Sequence, residues 1–180
     1  MGGISTKYVH ADRFKYSNTQ LLEKAPYIIQ HTESDFKLID TYLEEVKTRY
    51  DQVDVNYDYE SSLLLLIPYY CASQEEIFNL FNHLLTNYEF DLNRPIMDGG
   101  NVLPYLVKYV TEPRTFQLFI DQGINVNSFI PSTSKTALDM AYEQGDKGLV
   151  DYFETQKIRR YDQLASYGTK GSDSSPSAVV

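Results

Sequence analysis

Residues 113–153 read PRTFQLFIDQGINVNSFIPSTSKTALDMAYEQGDKGLVDYF, and this stretch decides the fold. Apolar residues recur at three- and four-residue steps on both sides of the segment SFIPSTSK (128–135), which is the period of an amphipathic helix. The Pro and Ser residues of that segment predict a turn. The stretch therefore predicts a unit in which a turn is followed by two short helices with a tight connection between them.

A short pattern of an acidic or amide residue, an apolar residue and Asn marks this unit elsewhere in the chain. It occurs as DVN (54–56), DLN (91–93) and NVN (125–127), and the first interval is slightly longer than the second. Two helices of about ten residues cannot enclose a core alone, so the units are expected to stack. Each copy follows an amphipathic run and precedes a turn and a second helical run; the amphipathic runs are 38–50, 75–88 and 114–123, and the second runs begin near 63, 102 and 136.

The chain resembles the ankyrin repeat over about 36–157, most specifically over 113–153. Gly123 fits the left-handed residue that ends the family's second helix, and TALDMA (136–141) is similar to the family's Thr-Pro-Leu-His-x-Ala opening, with Thr136 as N-cap. One repeat earlier, VLPY (102–105) stands where the Thr-Pro-Leu-His opening is expected. Pro68 falls at a helix-interior position and should kink that helix. The resemblance implies an all-α fold, an ankyrin-like solenoid of stacked helix pairs with projecting turns.

The resemblance also implies a domain organisation. Residues 1–16 are expected to be a flexible segment, 17–164 the repeat domain and 165–180 a disordered, Gly/Ser-rich tail. KIRRYDQLAS (157–166) is expected to be a basic extension of the last helix. Within the domain we expect a divergent helix pair and three repeats, at 17–53, 54–90, 91–124 and 125–157.

Composition excludes several classes of function. The chain of 180 residues has 16 Lys and Arg against 25 Asp and Glu, a net charge of −9, which counts against binding nucleic acid or anionic membranes. A single Cys excludes an intramolecular disulfide framework. We recognise neither a membrane-spanning segment nor a secretory signal, which predicts a cytoplasmic location, with the nucleus as the alternative.

The sequence offers no pattern typical of catalysis. The three His residues, His10, His31 and His83, share no short spacing, so we expect no metal site. Cys71 follows the apolar run LLLLIPYY (63–70), where burial should raise its pKa and favour packing over nucleophilic chemistry. A phosphate-binding loop and a catalytic triad signature are also missing. We therefore expect neither an enzyme nor a cofactor.

In the ankyrin family, hairpin tips and first helices line the binding face, so the resemblance implies a protein-binding module. Aromatic, Met and Arg side chains are enriched at interfaces. Tyr57 and Tyr59 lie among acidic residues, which favours exposure and contact and suggests a partner with a basic patch. The alternative, an ordinary solubilising charge run, is the commoner case. Phe129 and Ile130 could equally fold back onto neighbouring repeats. The candidate binding residues are Tyr57, Asp58, Tyr59, Glu60, Arg94, Ile96, Met97, Phe129 and Ile130.

Two terminal features suggest modification. MGGIST (1–6) matches the N-myristoylation pattern at Gly2, so the alternative function is a peripheral membrane adaptor that recruits a partner. One acyl chain gives only marginal anchoring, and membrane binding is expected only if Gly2 is acylated. Ser175, which precedes Pro176, is a candidate phosphorylation site.

Overall fold

The structure, a computed structural model, describes residues 23–50, 59–96 and 99–168. Within these ranges the chain forms nine helices and one two-stranded hairpin, which confirms the predicted all-α class. The chain divides into two compact units, residues 1–83 and 84–180.

The first unit contains α1 (Ala25–His31), α2 (Lys37–Tyr50), α3 (Tyr59–Tyr70) and most of α4 (Gln74–Asn87). Helix α1 packs against both α2 and α3. The predicted runs 38–50 and 75–88 match α2 and α4 to within one residue, because their apolar positions recur at the helical period. The core side chains of this unit, each almost fully buried, include Ile29, Ile39, Leu63, Leu64, Ile67, Ile77 and Phe81.

Pro68 lies inside α3, two residues before its end. Because it has no N–H, it cannot bond to the carbonyl four residues earlier, at Leu64. The helix closes after it, since the Cys71 N–H donates to the Ile67 carbonyl at 3.0 Å. Pro68 is buried and costs α3 one hydrogen bond, the one that the Leu64 carbonyl would otherwise accept.

The His83 side chain connects α4 to the start of α2. Its Nε2 lies 2.6 Å from Oδ1 of Asp40, and its ring stacks on Phe36 with 4.2 Å between centroids. Phe36 adopts a φ of 56°, an unusual value for a non-glycine residue that places its ring just before α2. These contacts give His83 a structural role within the first unit.

The second unit contains a hairpin and five short helices beyond the end of α4. In the hairpin, β1 (Phe129–Ile130) pairs antiparallel with β2 (Lys135–Thr136), Phe129 opposite Thr136. Helix α5 packs on α7, α6 on α8, and α7 on α8. The helices are α5 (Leu103–Leu106), α6 (Pro113–Asp121), α7 (Ala137–Gln144), α8 (Lys147–Thr155) and α9 (Tyr161–Gly168).

Helix α8 repeats the features of α6 in the next helix pair of the chain. Both have nine residues, and both are closed by a left-handed residue, Gly123 with φ 80° and Lys157 with φ 59°. The isoleucine N–H after each donates to a phenylalanine carbonyl in the helix, Phe119 at 3.2 Å and Phe153 at 3.0 Å. The predicted role of Gly123 is confirmed, and the same helix ending recurs where no glycine is present.

The last Asn of the sequence pattern accepts a hydrogen bond from the backbone of the next helix pair. Oδ1 of Asn93 accepts from the Asn125 N–H at 2.5 Å, and Oδ1 of Asn127 accepts from the Arg159 N–H at 2.9 Å. Both bonds span 32 residues, so the equivalent Asn of two successive copies of the pattern makes the same contact. The repeated Asn therefore satisfies a backbone donor of its neighbour, which gives the pattern a physical cause. The first copy, 54–56, falls in a range that the structure leaves undescribed.

The interpretation of 157–166 as an extension of the last helix is wrong. Helix α8 ends at Thr155, Lys157 turns the chain, and α9 is a separate helix from Tyr161 to Gly168. Ile158 in the connection is buried, which holds this turn against the unit. Residues 165–168, assigned to the tail from sequence, are therefore helical. The expected segment 1–16 and residues 169–180 lie outside the described residues.

The close approach at Gly100 predicts a large effect of substitution. Gly100 has φ 72°, and an added Cβ would collide with the Phe129 carbonyl oxygen. Gly123 has φ 80° with nothing within 4 Å of the corresponding position. We expect Gly123→Ala to lower the free energy of unfolding by about 1 kcal/mol, from backbone strain alone. Gly100→Ala should lower it by about 2–4 kcal/mol, from strain and the collision together.

Urea unfolding of the two variants measures this difference directly. Both glycines lie in the second unit, so each variant serves as the control for the other. Equal losses in the two variants would contradict the close packing of Gly100 against the hairpin.

Candidate functional site

Several predicted site residues fall outside what the structure describes. These are Tyr57, Asp58, Met97, Gly2 and Ser175. Tyr59 and Glu60 begin α3, and only their backbone is described. Their proposed roles in binding or modification stay predictions.

Arg94 and Ile96 lie in the turn that precedes α5. The Arg94 N–H donates to the Asp91 carbonyl at 3.1 Å, and the Ile96 N–H donates to the Gly100 carbonyl at 2.9 Å. Both side chains are half-buried. The turn is therefore held by backbone bonds, and part of each side chain remains accessible to a partner.

The two residues of β1 have different environments. Ile130 is 7% exposed, so its side chain packs inside the unit, and its interpretation as a contact residue is corrected. Phe129 is 37% exposed, and its ring packs edge-on against Tyr161 with 5.0 Å between centroids. Alternation along a strand explains the difference, since successive side chains point to opposite faces. Phe129 therefore stays a candidate contact residue, while Ile130 belongs to the core.

An open cleft of about 440 Å³ lies beside this hairpin. Its walls come from the hairpin loop, from α7 and from the start of α9. We call this the α7 cleft. Its lining residues are Thr133, Ser134, Lys135, Asp139, Tyr142, Glu143, Arg160, Tyr161 and Asp162.

Asp139 joins the three walls of the α7 cleft. Its carboxylate accepts bonds from the Thr136 N–H at 3.1 Å, the Tyr161 N–H at 2.8 Å and Arg160 Nε at 2.8 Å. Thr136 caps α7 in return, because its hydroxyl accepts from the Asp139 N–H at 3.3 Å. The predicted N-cap at Thr136 is thereby confirmed.

The ionisation of Asp139 reflects these contacts. Burial alone would raise the pKa of Asp139, but hydrogen bonds from Arg160, Thr136 and Tyr161 outweigh burial and hold the pKa below its ordinary value. The carboxylate is therefore charged at neutral pH and fixes the beginning of α9 against the beginning of α7.

Tyr142 presents an aromatic surface in the α7 cleft. It is 46% exposed, and the Arg160 guanidinium lies 5.2 Å from its ring centroid, within the range of a cation–π contact. Its hydroxyl donates to Glu154 at 2.6 Å, and this bond is the main cause that raises the pKa of Tyr142. The ring is therefore held at both its face and its hydroxyl.

A second exposed tyrosine lies near the corresponding position of the preceding unit. Tyr109 follows α5 and is 36% exposed, with the Lys108 ammonium 5.3 Å from its ring centroid. Lys108 occupies the place in its unit that Tyr142 occupies in the next, and Tyr109 the place of Glu143. Two successive helix pairs thus expose a tyrosine beside a cation, within the first helix at Tyr142 and just after it at Tyr109. Tyr and Arg are enriched at interface cores, whereas Lys is depleted, so the Tyr142–Arg160 pair is the stronger candidate.

Sequence reasoning missed Tyr142, Arg160 and Tyr161. The candidate binding residues predicted from sequence all lie in the hairpin tips, although the family resemblance also implied the first helices. Tyr142 could have been found there, since it is a large aromatic residue one position after the TALDMA segment (136–141). Arg160 had no such signal, because its partner Asp139 lies 21 residues away in sequence.

Metal-ligand groups, the Cys71 thiol and helix length can be assessed within the described residues. Within 23–50, 59–96 and 99–168, no group of three or more His, Cys, Asp or Glu side chains is placed to hold a metal ion. Burial, followed by the charge of Glu76, raises the pKa of the Cys71 thiol to about 12, as its apolar context predicted. In the same part of the chain, no helix is both long and apolar enough to cross a membrane.

Comparison with known proteins adds no relative: no family model, curated protein or solved structure matches the chain.

The Asp139 network predicts a pH-dependent contribution to stability. Asp139→Asn should lower the free energy of unfolding by about 1–3 kcal/mol near pH 7. The amide has one acceptor oxygen where the carboxylate has two, and its NH₂ group would face the N–H donors that the second oxygen binds. The folded-state pKa of Asp139 lies below that of unfolded Asp, about 3.9. Its stabilising effect is therefore complete above the unfolded pKa and is lost as the pH falls through the folded pKa.

Urea unfolding of both proteins between about pH 7 and pH 2.5 provides the measurement. The stability gap between wild type and Asp139→Asn should narrow at the acid end. Asp121→Asn is the matched control, because Asp121 is exposed on α6 and accepts a bond from Gln117 at 2.7 Å. A gap that stays constant over the whole range would show that the carboxylate charge is not the source of the effect.

Proposed function

We propose that this chain is an ankyrin-type repeat protein that binds another protein without catalysing a reaction. The observation that carries the proposal is the recurrence of helix ends and Asn bonds from one repeat to the next in the second unit. Stacked helix pairs of this length are typical of ankyrin repeats, whose tips and first helices serve as binding surfaces. The inference from fold to binding is an analogy, because a fold by itself does not define a function.

The proposed mechanism is rigid presentation of a surface. Hydrogen bonds between repeats and buried aromatic packing hold the hairpin and the first helices in place before a partner arrives. Phe116 and Phe153, for example, are fully buried with 5.0 Å between ring centroids. A preorganised surface loses little conformational entropy on binding, so more of the contact energy appears as affinity.

The proposed contact surface of the second unit combines the hairpin with the first helices. Phe129, Tyr142 and Tyr161 supply aromatic area, and Arg160 supplies hydrogen-bond donors. Residues of these types commonly dominate binding energy at interfaces. From the sequence predictions, the proposal also retains Arg94, Ile96, Met97, Tyr57, Asp58, Tyr59 and Glu60 as tip residues.

The proposal places the protein in the cytoplasm, with no catalytic residue or cofactor. The membrane-adaptor alternative depends entirely on acylation of Gly2, a residue that the structure leaves undescribed. Protein binding is preferred because contacts within the described residues support it.

Co-purification with identification by mass spectrometry tests this function. We expect the tagged full chain to retain a partner stoichiometrically, and Phe129→Ala combined with Tyr142→Ala to weaken capture at least tenfold, because interface aromatics often contribute more than about 2 kcal/mol each. Tyr27→Ala is the matched control, since Tyr27 is 61% exposed on α1 in the first unit. Equal capture by the double variant and wild type would contradict the proposed surface, and no stoichiometric partner would contradict the function.

A further inference from the structure

The charges lining the α7 cleft are unequal. Asp139, Glu143 and Asp162 are acidic, whereas Lys135 and Arg160 are basic. Both cations already have partners, since Lys135 Nζ lies 2.5 Å from Glu143 and Arg160 Nε lies 2.8 Å from Asp139. One negative charge is therefore in excess in a cleft of about 440 Å³.

Asp162 carries this excess charge at the rim. It is exposed in the first turn of α9, where its carboxylate accepts from the Gln163 N–H at 2.8 Å. Among the described residues, no Lys, Arg or His forms an ion pair with it within 4.0 Å. A carboxylate with remaining acceptor sites is thus accessible beside two tyrosine rings.

Arg160 shows that the α7 cleft stabilises a guanidinium. The group contacts the Asp139 carboxylate and lies over the Tyr142 ring. The hydrogen bond to Asp139 and the charges of Asp139 and Asp162 raise the pKa of Arg160 above its ordinary value. Carboxylates beside aromatic faces provide the two interactions that a guanidinium or ammonium group uses most strongly.

We propose that the α7 cleft binds an arginine or lysine side chain of a basic segment in the protein partner, between Asp162, Glu143 and the rings of Tyr142 and Tyr161. This inference rests on the proposed function and specifies the chemistry of the partner. The net charge of −9 also favours it, because a negative chain attracts cationic segments during encounter. An acidic segment would instead meet the unneutralised carboxylate of Asp162.

A direct test uses the full chain, labelled with ¹⁵N, and N-acetyl-arginine amide as the probe. We expect saturable shifts of backbone signals in 133–135, 139–143 and 160–162. N-acetyl-lysine amide should shift the same signals, while N-acetyl-glutamine amide and N-acetyl-glutamate should not. Asp162→Asn should weaken arginine binding roughly two- to fivefold, the usual range for one exposed ion pair.

Two controls separate a specific site from general attraction. Asp121→Asn removes an exposed carboxylate on α6, outside the α7 cleft, and should leave arginine binding unchanged. Raising the salt concentration with the native protein should weaken arginine binding, since exposed charges are screened. The salt series needs no variant, so the inference stays testable even if Asp162→Asn disturbs folding.

The outcomes also distinguish this inference from the proposed function. The inference is overturned if arginine produces no saturable shift in the α7 cleft, if glutamine amide shifts it equally, or if binding is insensitive to both Asp162→Asn and salt. Partner capture that depends on Phe129 and Tyr142 would then still support the function. Conversely, arginine binding in the α7 cleft without any captured partner would contradict the function and leave the site established.

Discussion

The second unit depends on the packing of Phe116 in α6 against Phe153 in α8. Each helix has nine residues, too few to remain folded alone in water. The two rings are fully buried in edge-to-face contact, and burial of a side chain of this size contributes about 2 kcal/mol. Because neither helix can bury its own phenylalanine, α6 and α8 depend on each other for stability.

Local patterns in the sequence predicted much of this structure, because they have local causes. The helical runs follow from apolar spacing, Gly123 from its left-handed backbone, and Thr136 from its capping hydroxyl. The separate helix α9 was not predictable in this way, since Lys157 adopts a left-handed φ without a glycine to signal it. The burial of Ile130 likewise depends on packing partners that the sequence pattern does not reveal. The ankyrin-like solenoid itself is a proposal.

The candidate site also contains one part that local sequence indicated and one part that depends on tertiary contacts. The exposure of Phe129 was one of two open alternatives in the sequence, and the structure shows a ring that is both accessible and supported by Tyr161. The α7 cleft could not be predicted, because Asp139 and Arg160 are brought together by the turn between α8 and α9. The same carboxylate that caps α7 also holds the start of α9. A structural bond and a candidate binding surface therefore share one residue.

The bonds made by Asn93 and Asn127 have a consequence for how such a chain can change length. Both connect a side chain to a backbone N–H 32 residues later, a separation close to the spacing between the sequence patterns at 91–93 and 125–127. An in-frame duplication of one such block in the gene would give every new junction an asparagine and an amide at the same separation. Growth by whole blocks would then preserve each joint, whereas a shorter insertion between the two partners would leave one of them unmatched.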